Sequence, residues 1–345
     1  MAADRSSARR HRPVTMEDIA ALAGLSTSTV SRALQGDSRI RPATRERVAA
    51  LARKHGYAVN SNARKLRLSR SNTIAIVIHL PPSASPEWSG PFIFQLLTDV
   101  ANGLWLRGQD LLLVPPESDR PHAYQSLLAS KGADGIIFLG QGASDDWLLD
   151  LTRTNAPFVV WGAVEDAPTY CTVGSDNRKG GALVARRFLE LGRRHILFVG
   201  NRRHPEMAQR WDGLKAALDA SGGAYALDYV EVGDFTFDTA LAAVRRHFAA
   251  LPDDRRPDAI FAASDEFALA TLAAADEAGI GIPGDMSLIG YDDLPSASHV
   301  RPALTTVRQD TRQAGALLVE KLFQMIDGGR PSSATIPTEL VVRQT

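Results

Sequence analysis

One short predicted helix near the N-terminus carries a polar face whose residue types could contact nucleic acid. Residues 27–34 place polar side chains opposite the apolar residues Val30 and Leu34, and these side chains are Thr27, Ser28, Ser31 and Arg32. Arginine can bind guanine through two hydrogen bonds, whereas serine and threonine hydroxyls contact bases less selectively. Ser26 can cap the start of this helix, where a phosphate is also favoured. The pattern predicts contacts with bases and phosphates.

The rest of the sequence offers little for catalysis or metal binding. The eight histidines show no metal-ligand spacing on one helix, and Cys171 is the only cysteine. The glycines of Gly140-Gln-Gly142 and Gly180-Gly181 do not form a phosphate-binding fingerprint between a strand and a helix. Asp292 and Asp293 are adjacent, so strand or turn geometry points their carboxylates apart. We therefore predict no catalytic residue, no metal ion and no cofactor.

Positive charge is concentrated in the first 70 residues. They contain 15 Lys and Arg against 5 Asp and Glu, a net charge of +10, while the remaining residues carry −10. A basic head on an acidic body is typical of a protein whose head meets a polyanion. A solvated basic tail explains residues 1–13 only, because the positive charge continues through a patterned segment.

The length and composition indicate a multidomain globular protein. The chain has 345 residues, more than the ~250–300 that one core usually serves. No apolar run approaches the ~18–20 residues of a membrane span, and residues 1–13 lack the apolar region of a secretory signal. With Cys171 alone, no intrachain disulfide can form. We expect a cytoplasmic protein with no membrane partner.

Three short helices are predicted to position the polar face. Thr15 can cap the first helix, Gly24 ends it, and the second covers residues 27–34. Pro42 suits the first turn of a third helix, which stops at Gly56. Two short helices joined by a turn with a glycine form a helix-turn-helix pattern.

Residues 60–66 form a further short helical segment. Asn60 can cap it, and Ala63 and Leu66 share one face. Seven residues are marginal as an isolated helix, so we expect this one to form with a partner. A pseudo-palindromic DNA site also needs two heads. We predict a homodimer, and no tetramer built by a C-terminal leucine heptad, because no such heptad follows the strand predicted at Leu340–Val342.

From Thr73 onward, apolar runs alternate with helical patterns. This alternation predicts parallel strand–helix–strand units with both sheet faces covered. The segment is too long for one sheet, so we expect two doubly wound parallel-sheet subdomains with a ligand cleft at the C-terminal ends of their strands. The predicted strands are 74–80, 110–114, 135–139, 158–161, 196–199, 229–232, 259–262 and 287–291.

An ordered set of motifs covers nearly the whole chain after residue 13. The head carries Val14-Thr-Met-Glu-Asp-Ile-Ala20 and Gly24-Leu-Ser-Thr-Ser-Thr-Val-Ser-Arg-Ala-Leu34, continued by residues 42–48, 56–57 and 60–66. The body carries Val173-Gly-Ser-Asp-Asn177, Ala208-Gln-Arg-Trp-Asp-Gly213, Ala263-Ser-Asp265, Ile289-Gly-Tyr-Asp-Asp293, Leu304-Thr-Thr-Val-Arg-Gln-Asp310 and Pro337-Thr-Glu-Leu-Val-Val342. In this order the motifs resemble the lactose/galactose-repressor family of bacterial transcription regulators.

This resemblance implies an all-α helix-turn-helix head and an α/β body of periplasmic-binding-protein type. It divides the chain into a basic tail (1–13), a DNA-binding domain (14–59), a hinge helix with a linker (60–72) and an effector-binding and dimerisation domain (73–345). Three crossovers are expected near residues 170–174, 301–307 and 328–337. They separate subdomain one, about 73–172 plus 304–330, from subdomain two, about 173–303 plus 331–345.

The resemblance also implies roles for residues of the head. Two Leu66 side chains, one from each subunit, would insert into a minor-groove base step, and Ala63 would let the two hinge helices approach closely. Arg41 stands where the family often has a small capping residue, and we interpret it as a phosphate contact. The complete expected DNA-contact set is Thr15, Ser26, Thr27, Ser28, Ser31, Arg32, Arg41, Asn60, Ala63 and Leu66.

In the body, Arg210 and Asp292 align with family positions that hold the effector. A sugar needs planar groups that make two hydrogen bonds, as arginine and carboxylates provide, and an aromatic face. Phe235 aligns with a stacking position of the lactose repressor, and Ser264 stands where a longer asparagine is common. Trp161 could stack on a ring or belong to the core. The complete expected effector set is Phe92, Trp161, Arg210, Phe235, Ser264, Asp265 and Asp292.

The predicted function is a sequence-specific DNA-binding regulator, a repressor that a sugar or sugar derivative releases from its operator. A corepressor-dependent regulator of the purine-responsive type would invert the sign of the response. A sugar-binding transport protein is the second alternative, although it would need a signal peptide and no DNA-binding head. An α/β sugar enzyme with a regulatory head is the third, and it would need a nucleophile or an acid/base pair that we do not find.

Overall fold

The computed structural model describes residues 14–34, 36–57, 70–78, 90–116, 122–141, 146–252 and 255–345. The chain divides into two units, Met1–Ser69 and Arg70–Thr345, called here the head and the body. Among the residues described, no helix is long and apolar enough to cross a membrane.

The described part of the head consists of three helices around one small core. Ile19, Val30 and Val48 are fully buried, and each comes from a different helix. The helices are α1 (Met16–Ala23), α2 (Thr27–Leu34) and α3 (Pro42–Lys54). The predicted helix-turn-helix arrangement is confirmed.

Local side-chain chemistry sets the ends of the first two helices. The Thr15 hydroxyl accepts a hydrogen bond from the Asp18 amide at 3.3 Å, and the Asp18 carboxylate accepts one from the Thr15 amide at 2.8 Å. This reciprocal capping box begins α1. Gly24 ends α1 with φ of 62°, a left-handed conformation that glycine adopts without steric cost. The Ser26 hydroxyl accepts from the Thr29 amide at 3.2 Å and so caps α2 as predicted.

The body contains two sheets, and the first belongs to lobe 1. Its strands are β1 (Thr73–Ile78), β2 (Asp110–Val114), β3 (Gly135–Leu139), β4 (Phe158–Trp161), β5 (Thr172–Ser175) and β11 (Ala334–Ile336). They pair in the order β11-β5-β4-β3-β1-β2, and every pair is parallel. The helices of lobe 1 are α4 (Pro91–Trp105), α5 (His122–Ala129), α6 (Asp146–Arg153) and α12 (Thr311–Ile326). The apolar strands β1, β3 and β4 are buried along their whole length, as strands covered on both faces must be.

The second sheet belongs to lobe 2. Its strands are β6 (His195–Gly200), β7 (Ala226–Glu231), β8 (Ala259–Ala262), β9 (Ser287–Asp292), β10 (Thr305–Gln309) and β12 (Thr338–Val341). Their order is β12-β10-β9-β8-β6-β7, with only β12 antiparallel to its neighbour. Its helices are α7 (Asn177–Glu190), α8 (Pro205–Ala220), α9 (Phe237–Ala250), α10 (Asp265–Glu277) and α11 (Pro295–His299). The predicted pair of doubly wound sheets is confirmed.

The chain passes between the lobes at Asp176, Asp310 and Pro337. Two of these crossings lie a few residues from the predicted subdomain boundaries. Residues 172–175 pair in lobe 1, so the first crossing follows Ser175, and β10 pairs in lobe 2, so the second follows Gln309. The predicted segment 331–345 is divided, because β11 joins lobe 1 and β12 joins lobe 2.

Four predicted strands, those at 110–114, 135–139, 158–161 and 259–262, have the same bounds in the structure. The predicted strand 229–232 begins earlier, at Ala226. Strands β5, β10 and β11 were not predicted as strands, because each is short and overlaps a segment interpreted as a crossover. The strand with which each of them pairs decides the sheet to which it belongs.

Helices α7 and α8 lie unusually close because glycines face each other across the contact. A Cβ atom on Gly181 would collide with the Arg210 carbonyl oxygen, and one on Gly213 would collide with the Arg178 carbonyl oxygen. Each collision involves backbone, which cannot move aside as a flexible side chain can. The glycines therefore set the position of α8, which carries Arg210.

Gly213→Ala should lower the free energy of unfolding of the body by about 1–3 kcal/mol or more, because the helices must separate to admit the methyl group. Urea unfolding measures the change. Gly223→Ala is the matched control, since the nearest atom to its added Cβ is the Ser221 hydroxyl at 3.8 Å. Equal losses in the two variants would contradict the close-approach argument.

Candidate functional site

In the head, α2 presents most of its predicted polar face to solvent. Thr27, Ser28 and Arg32 are exposed, as is Ser26 at the cap. Ser31 differs from the prediction, because its side chain is only 6% exposed. Since α2 packs against both α1 and α3, its buried face is wider than a single apolar stripe and includes Ser31. The exposed polar face consists of Thr27, Ser28 and Arg32.

The other predicted DNA-contact residues of the head have different surroundings. Arg41 is exposed at the start of α3 and makes no capping hydrogen bond. The Thr15 hydroxyl donates to the Asp18 carboxylate at 2.8 Å, so it belongs to the cap of α1. The hinge residues Asn60, Ala63 and Leu66 lie outside the described residues.

In the body, a pocket lies between the two lobes at the C-terminal ends of their strands. About 860 Å³ of this region is not filled by protein atoms, and part of that space is open to solvent. Six of the seven residues predicted for the effector site line it: Phe92, Trp161, Arg210, Phe235, Ser264 and Asp292.

The seventh residue, Asp265, is not among the pocket-lining residues. Its carboxylate is completely buried and accepts hydrogen bonds from the Leu294 amide at 2.8 Å and the Thr306 hydroxyl at 2.5 Å. These bonds join α10 to β10 and to the segment after β9. Burial raises the pKa of Asp265 well above its usual range. Asp265 therefore holds the framework of lobe 2 together and does not line the pocket of this structure, so a direct contact with an effector stays a prediction.

Arg210 occupies the floor of the pocket and is only 6% exposed. Its Nε donates to Asn177 Oδ1 at 2.9 Å, and its Nη1 donates to the Ala263 carbonyl oxygen at 2.5 Å. The guanidinium carbon lies 3.7 Å from the centre of the Tyr291 ring, a cation–π contact. The guanidinium thus joins α8 to α7, β8 and β9 within lobe 2.

Asp292 ends β9 with φ of 121°, a backbone conformation that costs a non-glycine residue about 1–3 kcal/mol and is common at functional sites. Its Oδ1 accepts a hydrogen bond from Gln309 Nε2 at 2.6 Å. Burial raises the pKa of this carboxyl to about 7, although the nearby Arg210 and the Gln309 hydrogen bond act in the opposite direction. The carboxylate is therefore held at the pocket with only partial compensation for its lost hydration.

Aromatic rings flank the pocket in both lobes. In lobe 1, the rings of Phe92 and Trp161 lie 5.9 Å apart. In lobe 2, the Phe235 ring stacks on Phe267 at 6.3 Å and meets the edge of the His204 ring at 4.7 Å. Each lobe therefore offers an aromatic side chain that can contact the apolar face of a ligand ring. The hydrogen-bonding groups of the pocket can then reach the edges of that ligand ring.

Contacts of Gln209 and His204 cross directly from one lobe to the other beside the pocket. Gln209 Nε2 of α8 donates to the Val164 carbonyl oxygen of lobe 1 at 3.1 Å. His204 makes a hydrogen bond with the backbone of Gln141, which opposes the lowering of its pKa by burial. These contacts couple the relative position of the lobes to residues around the pocket.

Five polar residues that line the pocket were missing from the predicted set: Gln141, His204, Glu206, Glu266 and Gln309. Their positions in the sequence carry a signal that could have found them. Glu206 and Glu266 each lie in the first turn of a helix that follows a strand, and such turns face the ligand cleft of this kind of fold. Gln309 belongs to one of the motifs identified in the sequence.

In the ranges that the structure describes, no group of three or more His, Cys, Asp or Glu side chains could hold a metal ion. The pocket contains a cationic group, carboxylates, amides and aromatic rings. This combination can bind a hydroxyl-rich ring by hydrogen bonds and by stacking.

Asp292→Asn should change how stability depends on pH. The pKa of Asp292 is about 7 in the folded chain against 3.8 for an ordinary aspartate, so its ionisation disfavours folding as pH rises through that interval. Between pH 5 and pH 8, the free energy of unfolding of the wild-type protein should fall by on the order of 2 kcal/mol more than that of the variant. Urea unfolding at several pH values tests this, with the exposed Asp150→Asn as control. Parallel profiles for Asp292→Asn and wild type would contradict the prediction.

Comparison with known families divides the chain in the same way. Residues 15–60 match the family model of bacterial regulatory proteins of the lacI family, and residues 185–345 match that of a periplasmic binding protein-like domain. The two matches cover the helix-turn-helix head and most of the α/β body.

Relatives along the full length give the same result. The HTH-type transcriptional regulator CelR of Thermobifida fusca is 33% identical over 345 residues, 98% of this chain and 99% of that protein. A solved CelR–cellobiose complex has a TM-score of 0.70 at 30% identity and covers 96% of this chain and 99% of its own. The Lac repressor dimer bound to operator and the anti-inducer ONPF has a TM-score of 0.83 at 24% identity over 97% and 99% of the chains, which supports the fold. The family identified from the motifs is confirmed, and this chain belongs to the lacI family of bacterial regulatory proteins.

Proposed function

We propose that this regulator is a cytoplasmic repressor that binds a pseudo-palindromic operator as a homodimer and leaves it when a carbohydrate binds between its lobes. It acts by binding and catalyses no reaction. The observation that carries the proposal is the pocket, where Arg210 and Asp292 of lobe 2 and Phe92 and Trp161 of lobe 1 line one space.

The exposed face of α2 supports contact with operator bases. Thr27, Ser28 and Arg32 form this face, and α2 is the second helix of the helix-turn-helix, which enters the major groove in such domains. Arg32 is the residue of this face that can select guanine. The exposed Arg41 and the net charge of +10 over residues 1–70 favour phosphate contacts around it.

The composition of the pocket supports a carbohydrate. The aromatic rings of Phe92, Trp161 and Phe235 can pack against the C–H face of a pyranose, and Asp292 with Gln309 can bind its hydroxyls. The relative CelR has been solved with cellobiose, a disaccharide, which points to the same ligand class.

The crossovers supply a route from the pocket to the relative position of the lobes. Gln309 donates to Asp292 in the pocket, accepts from the Ser175 hydroxyl, and directly precedes the crossing at Asp310. A ligand that contacts Asp292 therefore acts on two of the three crossing strands. It shifts the population of lobe arrangements by its difference in affinity for them, and operator affinity changes by the same coupling free energy.

The proposal is tested by measuring, with fluorescence anisotropy, whether a ligand releases the full-length chain from its own promoter DNA. A panel of neutral mono- and disaccharides that includes cellobiose should contain a sugar that lowers operator affinity. The same sugar at ~100 times its Kd should stabilise the protein by ~2.7 kcal/mol against unfolding. A purine base that strengthens operator binding, with no active sugar, would replace this proposal by the corepressor alternative.

Arg32→Ala should weaken operator binding by about 1–3 kcal/mol and weaken binding to a scrambled duplex less, because it removes a base contact. Binding to both duplexes is measured at one salt concentration. Arg53→Ala, which removes the same charge from the last turn of α3, is the matched control and should affect the two duplexes equally or not at all. An equal loss on both duplexes for Arg32→Ala would reduce Arg32 to a phosphate contact.

Lobe 1 has an exposed apolar surface that fits the proposed dimer. It comprises the C-terminal end of α4 and the edge strand β2, with Trp105 and Leu106 more than three-quarters exposed and Leu111, Leu112 and Leu113 about 40% exposed. Contiguous exposed apolar side chains mark interaction sites, and an uncovered edge strand is otherwise prone to non-specific pairing. We assign this surface to contact with the second copy of the chain.

Leu112→Lys should convert the dimer to monomer in sedimentation velocity, because the interface would have to bury a charge without a partner. Operator affinity should fall with it. Leu191→Lys is the matched control, since Leu191 is exposed to a similar extent, 42%, at the end of α7. A Leu112→Lys protein that remains dimeric would remove β2 from the interface.

A further inference from the structure

We infer that the pocket rejects negatively charged effectors and accepts neutral or amino sugars that bear no phosphate or carboxylate group. The inference rests on the proposed role of this pocket in carbohydrate binding and adds the charge of the ligand. It is carried by the way in which the lining residues distribute charge.

Carboxylates outnumber cations among the described residues that line the pocket. Glu206, Glu266 and Asp292 contribute acidic groups, whereas Arg210 is the one Lys or Arg in that lining. The lining residues from lobe 1, which include Phe92, Trp161 and Gln141, carry no ionisable group. An anionic group would therefore meet a surplus of like charge.

The single cation is already engaged by the protein. The guanidinium of Arg210 donates to Asn177 and to the Ala263 carbonyl oxygen, and it lies against the Tyr291 ring. Asp292, with a pKa of about 7, adds about half a negative charge close to it at neutral pH. These hydrogen bonds use two of the five guanidinium N–H groups, so a phosphate could reach only the donors that remain.

Two helix N-termini at the pocket carry carboxylates of their own. The end of a helix holds about half a positive charge and ordinarily favours an anion. Helix α8 has Glu206 in its first turn, and α10 has Glu266 there. Because each dipole already has a protein carboxylate beside it, neither helix offers an unsatisfied positive end to a ligand.

Helix α4 also points its N-terminus at the pocket and has no acid in its first turn. Gly90 at the cap provides no side-chain hydrogen bond, Pro91 has no amide hydrogen, and the Ile93 amide already donates to the Gly90 carbonyl oxygen at 3.2 Å, so this helix end has few donors for a ligand. A single helix end supplies only ~0.5 of a unit charge, less than the excess of carboxylates in lobe 2. Burial also raises the pKa of Glu266, as expected for an acid without a close cation.

The test is calorimetric titration of the full-length chain with pairs of compounds in which one member carries an added charged group. The pairs are cellobiose and cellobionate, glucose and glucose 6-phosphate, glucose and glucuronate, glucose and glucosamine, and hypoxanthine and inosine monophosphate. In any pair that binds, we expect the anionic member to bind at least ~10-fold more weakly. The amino sugar should bind as well as its neutral partner or better.

The outcomes separate this inference from the proposed function. A phosphorylated or acidic sugar that binds as tightly as its neutral partner overturns the charge inference and leaves the sugar-responsive regulator standing. Binding of hypoxanthine without inosine monophosphate or any sugar overturns the sugar proposal and supports the charge inference. If no member of any pair binds, both are overturned.

Charge-neutral variants assign the effect to particular residues. The double variant Glu206→Gln, Glu266→Gln keeps the shape of both side chains. It should reduce several-fold the gap in affinity between a neutral sugar and its anionic partner. Glu190→Gln is the matched control, because Glu190 is exposed at the far end of α7 and should leave the gap unchanged. A gap that is the same in the double variant and the wild type would overturn the assignment to these carboxylates.

Discussion

Burial of one guanidinium, that of Arg210, organises the C-terminal end of the second sheet. A buried cation must keep its hydrogen bonds, because an unpaired charge in the interior costs several kcal/mol. Arg210 meets this requirement with Asn177, the Ala263 carbonyl oxygen and the Tyr291 ring. Those partners belong to three different elements, and they converge only because Gly181 lets α7 approach the backbone of α8. The strained backbone of Asp292 at the end of β9 places a carboxylate in the same region.

The same region joins the pocket to the strands that pass between the lobes. Asp176 and Asp310 each cap the helix that follows a crossing, by accepting from the amides of Lys179 and Gln313. The caps fix where each strand stops and the next helix starts, so a crossing strand cannot slide without breaking a helix end. Gln309 bonds Asp292 on one side of its amide and Ser175 on the other. A chain of contacts therefore runs from the pocket wall to the crossings, which suits the proposed response of the lobes to a ligand.

The two lobes contribute different chemistry to one pocket. Lobe 1 offers aromatic rings and uncharged backbone, and lobe 2 offers almost all of the charged and hydrogen-bonding groups. A ligand that contacts only one lobe has no reason to favour one lobe arrangement over another, because the free energy that shifts an equilibrium is a difference in affinity. Division of the chemistry between the lobes thus makes occupancy of the pocket depend on the arrangement of both.

The sequence by itself determined the helices and most strands, the division into a head and a two-lobed body, and the family. Only the tertiary structure decided which side chains meet. The capping box at Thr15, the helix end at Gly24 and the buried runs of β3 and β8 depend on neighbours within a few residues, so patterns in the sequence predict them. The pocket residues Arg210 and Asp292 were found through the motifs that contain them, and Phe235 through its alignment with a family stacking position. Asp265 shares such a motif, yet its burial against Leu294 and Thr306 removes it from the pocket. Ser31 is buried because α2 has two helical neighbours, and β5 belongs to lobe 1 because of the strand beside it. These outcomes depend on contacts between residues far apart in the chain, which no local pattern encodes.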